Sequence, residues 1–128
     1  VNFSDANLSD AKLRDVNLKE ANLKKADLRE ADLSGADLTR AELGGAYLYR
    51  ADLIGTRLIG ANLNEANIID ATLIGADLRG ADLRQSKLEG AVFTDAELED
   101  ARLEGAVYTD ATLFPYGFDP AAAGMVRV

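Results

Sequence analysis

The chain repeats every five residues from Val1 to Pro115, 23 units in one register without an insertion or deletion. The third slot of each unit is Leu, Ile, Phe or Tyr, and the first slot is Ala in 19 units, with Val1, Val16, Thr56 and Ser86 as the exceptions. A short fixed period is the mark of a stacked array, in which each unit buries its apolar face against the next. Period five excludes a long α-helix: five residues advance a helix by about 500°, so the leucines would spiral around the axis instead of forming a stripe. In extended chain, slots one and three share a face and slot two points the other way, which matches Ala in, Asp or Asn out, Leu in. Slots four and five must then turn the chain. Eight of the eleven glycines occupy slot five, where a type II turn needs positive φ at its third position, and Asp, the next most suitable type, fills many of the other fifth slots.

The units ADLSG, ADLTR, ADLIG, ANLNE and ADLRG resemble the A-(D/N)-L-x-x unit of pentapeptide repeat proteins, and the resemblance covers the array from end to end. The ending FPYGFDPAAAGM is similar to that of cyanobacterial members. The resemblance implies an all-β fold, a right-handed quadrilateral β-helix (a pentapeptide repeat solenoid) with four pentads per coil. Periodicity alone does not distinguish four sides from three.

With four sides, the third slots fall into four ladders. These are Phe3, Leu23, Leu43, Leu63, Leu83, Leu103; then Leu8, Leu28, Leu48, Ile68, Leu88, Tyr108; then Leu13, Leu33, Leu53, Leu73, Phe93, Leu113; and finally Leu18, Leu38, Leu58, Leu78, Leu98, extended by Phe118. Just under six coils at the spacing of paired strands give a rod about 28 Å tall. The organisation expected is a repeat β-helix over residues 1–115 and a capping segment over 116–128. Within the latter, Asp119, Pro120 and three alanines read as an N-cap, a first-turn proline and a short C-terminal helix that Gly124 stops. Residues 114 to 128 would form a lid. The N-terminal end starts in register, which fits pairing with another chain, a preceding piece, or simple loss of a starting Met.

Composition bounds the chemistry. Cys, His and Trp are absent, which removes disulfides, Cys/His zinc sites, histidine bases and thiol nucleophiles. None of the four serines has a histidine to activate it. LGGAYL at Gly44 and Gly45 matches neither a phosphate loop nor a dinucleotide fingerprint and reads as turn chemistry. Glu97 and Glu99 point outward on a convex rod, so they do not converge as a catalytic pair. Asp ladders such as Asp32 with Asp52 lack the loop of a calcium hand. No catalytic residue, cofactor or metal is expected, and the chain is read as a non-enzyme. The net charge of -8 disfavours direct nucleic-acid binding, and no apolar run is long enough for a membrane helix.

Two surfaces carry what remains. Tyr49, Ile54, Ile59, Ile69 and Ile74 stand in the mostly polar slot four and Tyr47 in slot two; of these Tyr47, Tyr49, Ile54, Ile69 and Ile74 are the candidate partner surface, set against cross-coil pairing that merely stiffens the rod. The second half of the chain is acidic, with twelve acids against five bases in residues 65–128, and Glu97, Glu99, Asp100 and Glu104 mark an acidic end. The function expected is a protein-protein interaction or scaffold module with an unidentified protein partner, monomeric or dimeric through an end or face. The alternative draws on family members that look like duplex DNA: an acidic DNA mimic binding a topoisomerase or another DNA-binding protein. The resemblance implies a cytoplasmic location, with a lumenal or periplasmic one left open.

Overall fold

The computed structural model describes all residues, Val1–Val128. Its backbone is a coil of short extended stretches in which the second slot of each pentad bridges, in parallel, the residue twenty positions on, from Asn2 with Asn22 to Lys87 with Val107. Twenty residues per turn is four pentads, so the coil has four sides. We call them the first to fourth side, beginning with the pentads at Val1, Ala6, Ala11 and Val16.

Each pentad uses its backbone in the same way. The slot-two amide donates to the coil below, as Asn22 N–H does to Val1 C=O (2.9 Å), and the slot-three and slot-five amides donate upward, as Leu23 does to Glu42 (2.7 Å) and Lys25 to Gly44 (3.0 Å). The slot-one amide closes the corner onto the previous slot-three carbonyl, Ala26 to Leu23 at 3.0 Å. Slot five lies at positive φ in every unit from Asp5 (59°) to Gly105 (75°), which is the turn chemistry that the fifth-slot glycines require.

This leaves the slot-four amide without a backbone partner, and where slot two is Asn or Asp its side chain takes it. Asn22 Oδ1 accepts from Lys24 N–H at 3.1 Å, Asp52 Oδ1 from Ile54 at 3.0 Å and Asp82 Oδ1 from Arg84 at 3.1 Å. Asp and Asn stand in slot two because their short side chains close this turn locally. Their outward position is legible in the sequence; this role is not.

Inside, Ala and Leu from all four sides form one core of 33 buried apolar residues. The polar exceptions in slot one are satisfied: Thr56 Oγ1 donates to Leu33 C=O at 2.9 Å and Ser86 Oγ to Leu83 C=O at 2.7 Å.

The register slips once, in the last coil. Val92 bridges Leu113, not Thr112, a step of one extra residue. The corner there closes from Thr112 N–H to Thr109 C=O (3.1 Å). Thr112 therefore takes the inward first slot, its Oγ1 donating to Leu88 C=O at 2.8 Å and accepting from Gly90 and Thr109 N–H at 3.2 and 3.1 Å. Leu113, expected to end the third ladder, points outward and is 52% exposed. Phe114 replaces it, stacked on Phe93 (ring centroids 6.0 Å) and on Phe118 (5.0 Å), with Tyr108 edge-on at 5.6 Å. A partly buried aromatic cluster seated on Phe93 and a fully bonded hydroxyl outweigh keeping one leucine in line.

The C-terminal helix expected within residues 116–128 is not formed. Asp119 Oδ1 does accept from Ala122 N–H (3.2 Å) as an N-cap would, but residues 120–124 are turns and Gly124 has φ 80°. One turn fixes several residues for very few hydrogen bonds, and the chain beyond it pairs as a strand instead. Strand β1 (Val107–Tyr108) lies parallel to β2 (Val126–Arg127), with the Arg127 guanidinium on Asp110.

Candidate functional site

Coils of one geometry up to Tyr108 give straight columns of outward side chains, so a surface is set by which residues share a column. The corner between the second and third sides carries Ser9, Arg29, Tyr49, Ile69 and Glu89 in slot four. Tyr49 C=O accepts from Glu30 N–H at 2.9 Å and Ile69 C=O from Arg50 N–H at 3.0 Å, which fixes their stacking. The next corner carries Ile54 and Ile74, joined by Gly55 N–H to Ile74 C=O at 3.0 Å. Ile54 is 43% and Ile74 38% exposed, Tyr49 and Ile69 half-buried.

Four of the five candidate residues thus form two ridges on either side of the third side, whose outward column runs Lys12, Asp32, Asp52, Thr72, Val92, Leu113. Asp52 and Thr72 separate the ridges in the middle coils, but beyond Thr72 the column itself is apolar. Val92 and Leu113 were missed by sequence reading. Val92 carried a signal, an apolar residue in the normally polar slot two; Leu113 carried none, because only the slipped register turns it outward.

Tyr47 stands apart on the second side, 49% exposed, bridging Asp27 below and Asn67 above. Near both Tyr47 and Tyr49 lies Arg29, whose guanidinium binds Asp27 through two bonds (2.8 and 2.7 Å). It lines two shallow depressions of about 270 and 240 Å³, one with Tyr49 and one with Tyr47, and Arg50 lies over the Tyr49 ring at 5.9 Å. Exposed Tyr and Arg together are the residue types enriched at binding hot spots.

The acidic end is less concentrated than its sequence suggests. Glu97, Glu99 and Asp100 share the fourth side and its outgoing corner, whereas Glu104 lies one corner farther, with Arg102 on the side between. Glu97 lies 3.7 Å from Arg79 and Arg102 lies 3.9 Å from Asp82. The carboxyls held most firmly in their ionised form sit elsewhere in slot two. Hydrogen bonds from the Arg29, Arg79 and Arg84 side chains hold Asp27, Asp77 and Asp82 below the ordinary carboxylate range, and the hydroxyls of Ser34 and Thr39 do the same for Asp32 and Asp37. These groups brace turns and offer no base or acid poised near neutrality.

No group of three or more side chains able to ligate a metal gathers anywhere in the structure, and no helix is long and apolar enough to cross a membrane.

The comparisons with known proteins agree with this architecture. The family described as pentapeptide repeats (8 copies) matches residues 2–40, 46–85 and 73–107. Among solved structures, the pentapeptide repeat protein Rfr23 of the cyanobacterium Cyanothece 51142 is 35% identical, with 73% of this chain and 63% of that chain covered and a TM-score of 0.72; this chain therefore spans less than two thirds of Rfr23. HetL of Nostoc sp. strain PCC 7120, a protein involved in heterocyst differentiation regulation, is 28% identical over 98% of this chain and 71% of its own, with a TM-score of 0.51. Trypsin-treated QnrB1, a plasmid-mediated fluoroquinolone resistance protein, shares the fold at 20% identity, with 99% and 77% covered and a TM-score of 0.75. No curated protein matches. Twenty-residue coils, positive-φ corners and an Ala/Leu core on one side, and the family match over most of the chain on the other, lead to one conclusion: the chain belongs to the pentapeptide repeat family, whose members fold as right-handed quadrilateral β-helices.

Proposed function

We propose that this chain is a non-enzymatic protein-binding or scaffold module, and that its contact surface is the pair of ridges formed by Tyr49 with Ile69 and Ile54 with Ile74, flanked by Tyr47. The observation that carries the reading is the presence of β-branched and aromatic side chains, with Tyr47, Ile54 and Ile74 exposed, in outward slots that are mostly polar elsewhere in the array. Apolar side chains gathered on one flank are costly to leave in water unless a partner covers them. Val92 and Leu113 lengthen the same flank toward the C-terminal end. Domain use follows the same reading: residues 1–115 present the surface and 116–128 cap part of the C-terminal end.

The test is a quadruple change of Tyr49, Ile54, Ile69 and Ile74 to Ser, followed by capture of partners from the native host and mass spectrometry. The expected result is an array that still folds, with the captured partner lost. A partner retained by the quadruple variant, together with a fall in melting temperature, assigns these residues to stiffening of the rod instead.

The acidic DNA mimic is the second reading, carried by the net charge of -8 and by the exposed carboxylates of Glu97, Glu99, Asp100 and Glu104. The interposed Arg79 and Arg102 count against it, since a mimic of duplex phosphates needs an uninterrupted anionic track. Inhibition of topoisomerase supercoiling that is salt-sensitive and lost on charge reversal at Glu97, Glu99 and Asp100 would establish it. A cytoplasmic protein partner is the expectation under either reading.

A further inference from the structure

The C-terminal end of the coil is only half covered. Leu113 lies over the third side and β2 over the second, but nothing pairs above residues 96–103 on the fourth and first sides. In the coil beneath, Leu78 N–H donates to Glu97 C=O (2.8 Å), Gly80 N–H to Glu99 C=O (2.9 Å), and Ala76 C=O accepts from Glu97 N–H (2.9 Å). The equivalent groups one coil up, Leu98 N–H, Asp100 N–H and Ala96 C=O, have no protein partner. Beside them the chain crossing the end leaves a depression of about 300 Å³ whose apolar lining is Ala96, Leu98, Pro115 and Phe118, with Tyr116 fully exposed at its rim. The outer rim is acidic: Glu97 has only Arg79, at 3.7 Å, and Glu99 and Asp100 make no ion pair.

We propose that this open edge receives an extended peptide segment of a partner protein as one more parallel strand, with a basic side chain facing outward beside Glu97 and an apolar side chain next to it in the depression. An unpaired strand edge is a template for strand addition, the main chain giving affinity and alternate side chains giving specificity. The geometry of the coil fixes the register. One guest residue gives its N–H to Ala96 C=O and accepts from Leu98 N–H, as Glu97 does with Ala76 and Leu78 below; the carbonyl two residues on accepts from Asp100. The residue after the first points inward over Leu98, because successive side chains alternate faces. The charge of Glu97, Glu99 and Asp100 selects a base at the outward position and repels an acid. A second copy of this chain does not fit, since head-to-tail stacking needs all four sides and two are already covered. This edge lies on the end face of the coil and the ridges of the preceding reading lie on its flank, with no residue in common, so either can fail without the other.

The experiment is a titration of the full chain, labelled with ¹⁵N, against a capped peptide Ala-Lys-Leu-Lys-Gly, read by amide chemical shifts. Saturable shifts centred on Leu98 and Asp100 are expected, with a Kd of about 0.1–1 mM that weakens with salt. Methylating the backbone nitrogen of the peptide's first Lys, which removes the donor to Ala96 C=O, should weaken binding about tenfold, and Ala-Glu-Leu-Glu-Gly should bind at least about tenfold more weakly. The surface variant Glu97→Lys with Glu99→Lys should reverse that preference. The proposal is overturned by shifts absent at Leu98 and Asp100, by shifts centred on Tyr47 and Tyr49, by indifference to methylation or charge, or by the same shifts appearing on concentrating the protein alone.

Discussion

At the scale of single residues, the corner is where this repeat stores its strain. Thirteen slot-five residues other than Gly hold positive φ, among them Glu65 at 61° and Arg50 at 57°. An L side chain there costs about 1 kcal/mol, so Glu65→Gly and Arg50→Gly should each raise stability by about 0.5–1 kcal/mol, read in thermal melts. The reverse change depends on the coil below. A Cβ on Gly55 meets nothing within 4 Å, whereas on Gly35 it would meet Asp15 Oδ1. Gly55→Ala should therefore show the backbone cost of about 1 kcal/mol alone, and Gly35→Ala should add only the small cost of turning the exposed Asp15 carboxylate aside, an excess removed by adding Asp15→Ala. The slot-two acids make a second residue-scale prediction. Hydrogen bonds depress the folded-state pKa of Asp27, Asp32, Asp37, Asp77 and Asp82 below the unfolded value, so the stability these five contribute is present above about pH 4 and is lost as the pH falls through the folded values. Melting temperature should be flat from neutrality to about pH 5 and fall below about pH 4. Changing Asp27, Asp32, Asp37, Asp77 and Asp82 together to Asn should flatten the acid limb, because Asn22 and Asn67 already close the same turn uncharged. The Ala, Leu and fifth-slot Gly roles were legible in the sequence, since each is a matter of size or φ. The slot-two role was not, because periodicity shows that a residue faces outward and says nothing about the amide it reaches.

At the scale of the element, one pentad is interchangeable with the next until Thr109. The 23-unit register read from the sequence is correct for the coil up to Tyr108 and then wrong by one residue, since A-T-L at 111–113 imitates the repeat while the side chains obey packing. Three substitutions separate the two registers. Leu53→Ala, in the regular core at 1% exposure, should cost about 2–5 kcal/mol. Leu113→Ala should cost less than about 1 kcal/mol, as its side chain is largely in water. Phe114→Ala should cost about 3–5 kcal/mol by emptying the cluster with Phe93, Tyr108 and Phe118. A Leu113→Ala cost equal to that of Leu53→Ala would restore the unbroken register. The missing helix has the same origin: Asp119 and Pro120 are sound local start signals, but Val126 N–H finds Ala106 C=O at 2.8 Å and Val128 N–H finds Tyr108 C=O at 2.9 Å, and that long-range pairing takes the residues a helix would need to extend.

At the scale of the whole molecule, a solenoid is stabilised unit by unit, so its weakest stretch is set by local differences between otherwise equal coils. Here the difference is the slot-two bond. The pentads beginning at Ala21, Ala26, Ala31 and Ala36 all close with Asn or Asp, and in residues 41–80 four of the eight pentads do so, through Asp52, Asn62, Asn67 and Asp77, whereas those with Glu42, Tyr47, Arg57 and Thr72 in slot two do not. From Ser86 onward slot two is Lys87, Val92, Glu97, Arg102 and Val107, none of which closes the turn in that way. The amides of Glu89, Thr94, Glu99 and Glu104 accordingly lack a protein partner. The same stretch holds the acid excess and the half-open end, so three independent weaknesses coincide. Local opening tracks such deficits. Amide hydrogen exchange should therefore be fastest, among the coils with buried ladders, in residues 86–105, and slowest in the coils built from residues 41–80, which are covered both above and below. Supplying the missing bonds should correct this: Lys87→Asn and Glu97→Asn would each offer a carbonyl oxygen to the amides of Glu89 and Glu99, worth about 0.5–1.5 kcal/mol apiece. Protection factors in the last coils should rise while those of residues 41–80 stay unchanged. Uniform change along the rod would mean that the array opens as one cooperative unit, and no change would mean that water already satisfies those amides as well as a side chain does.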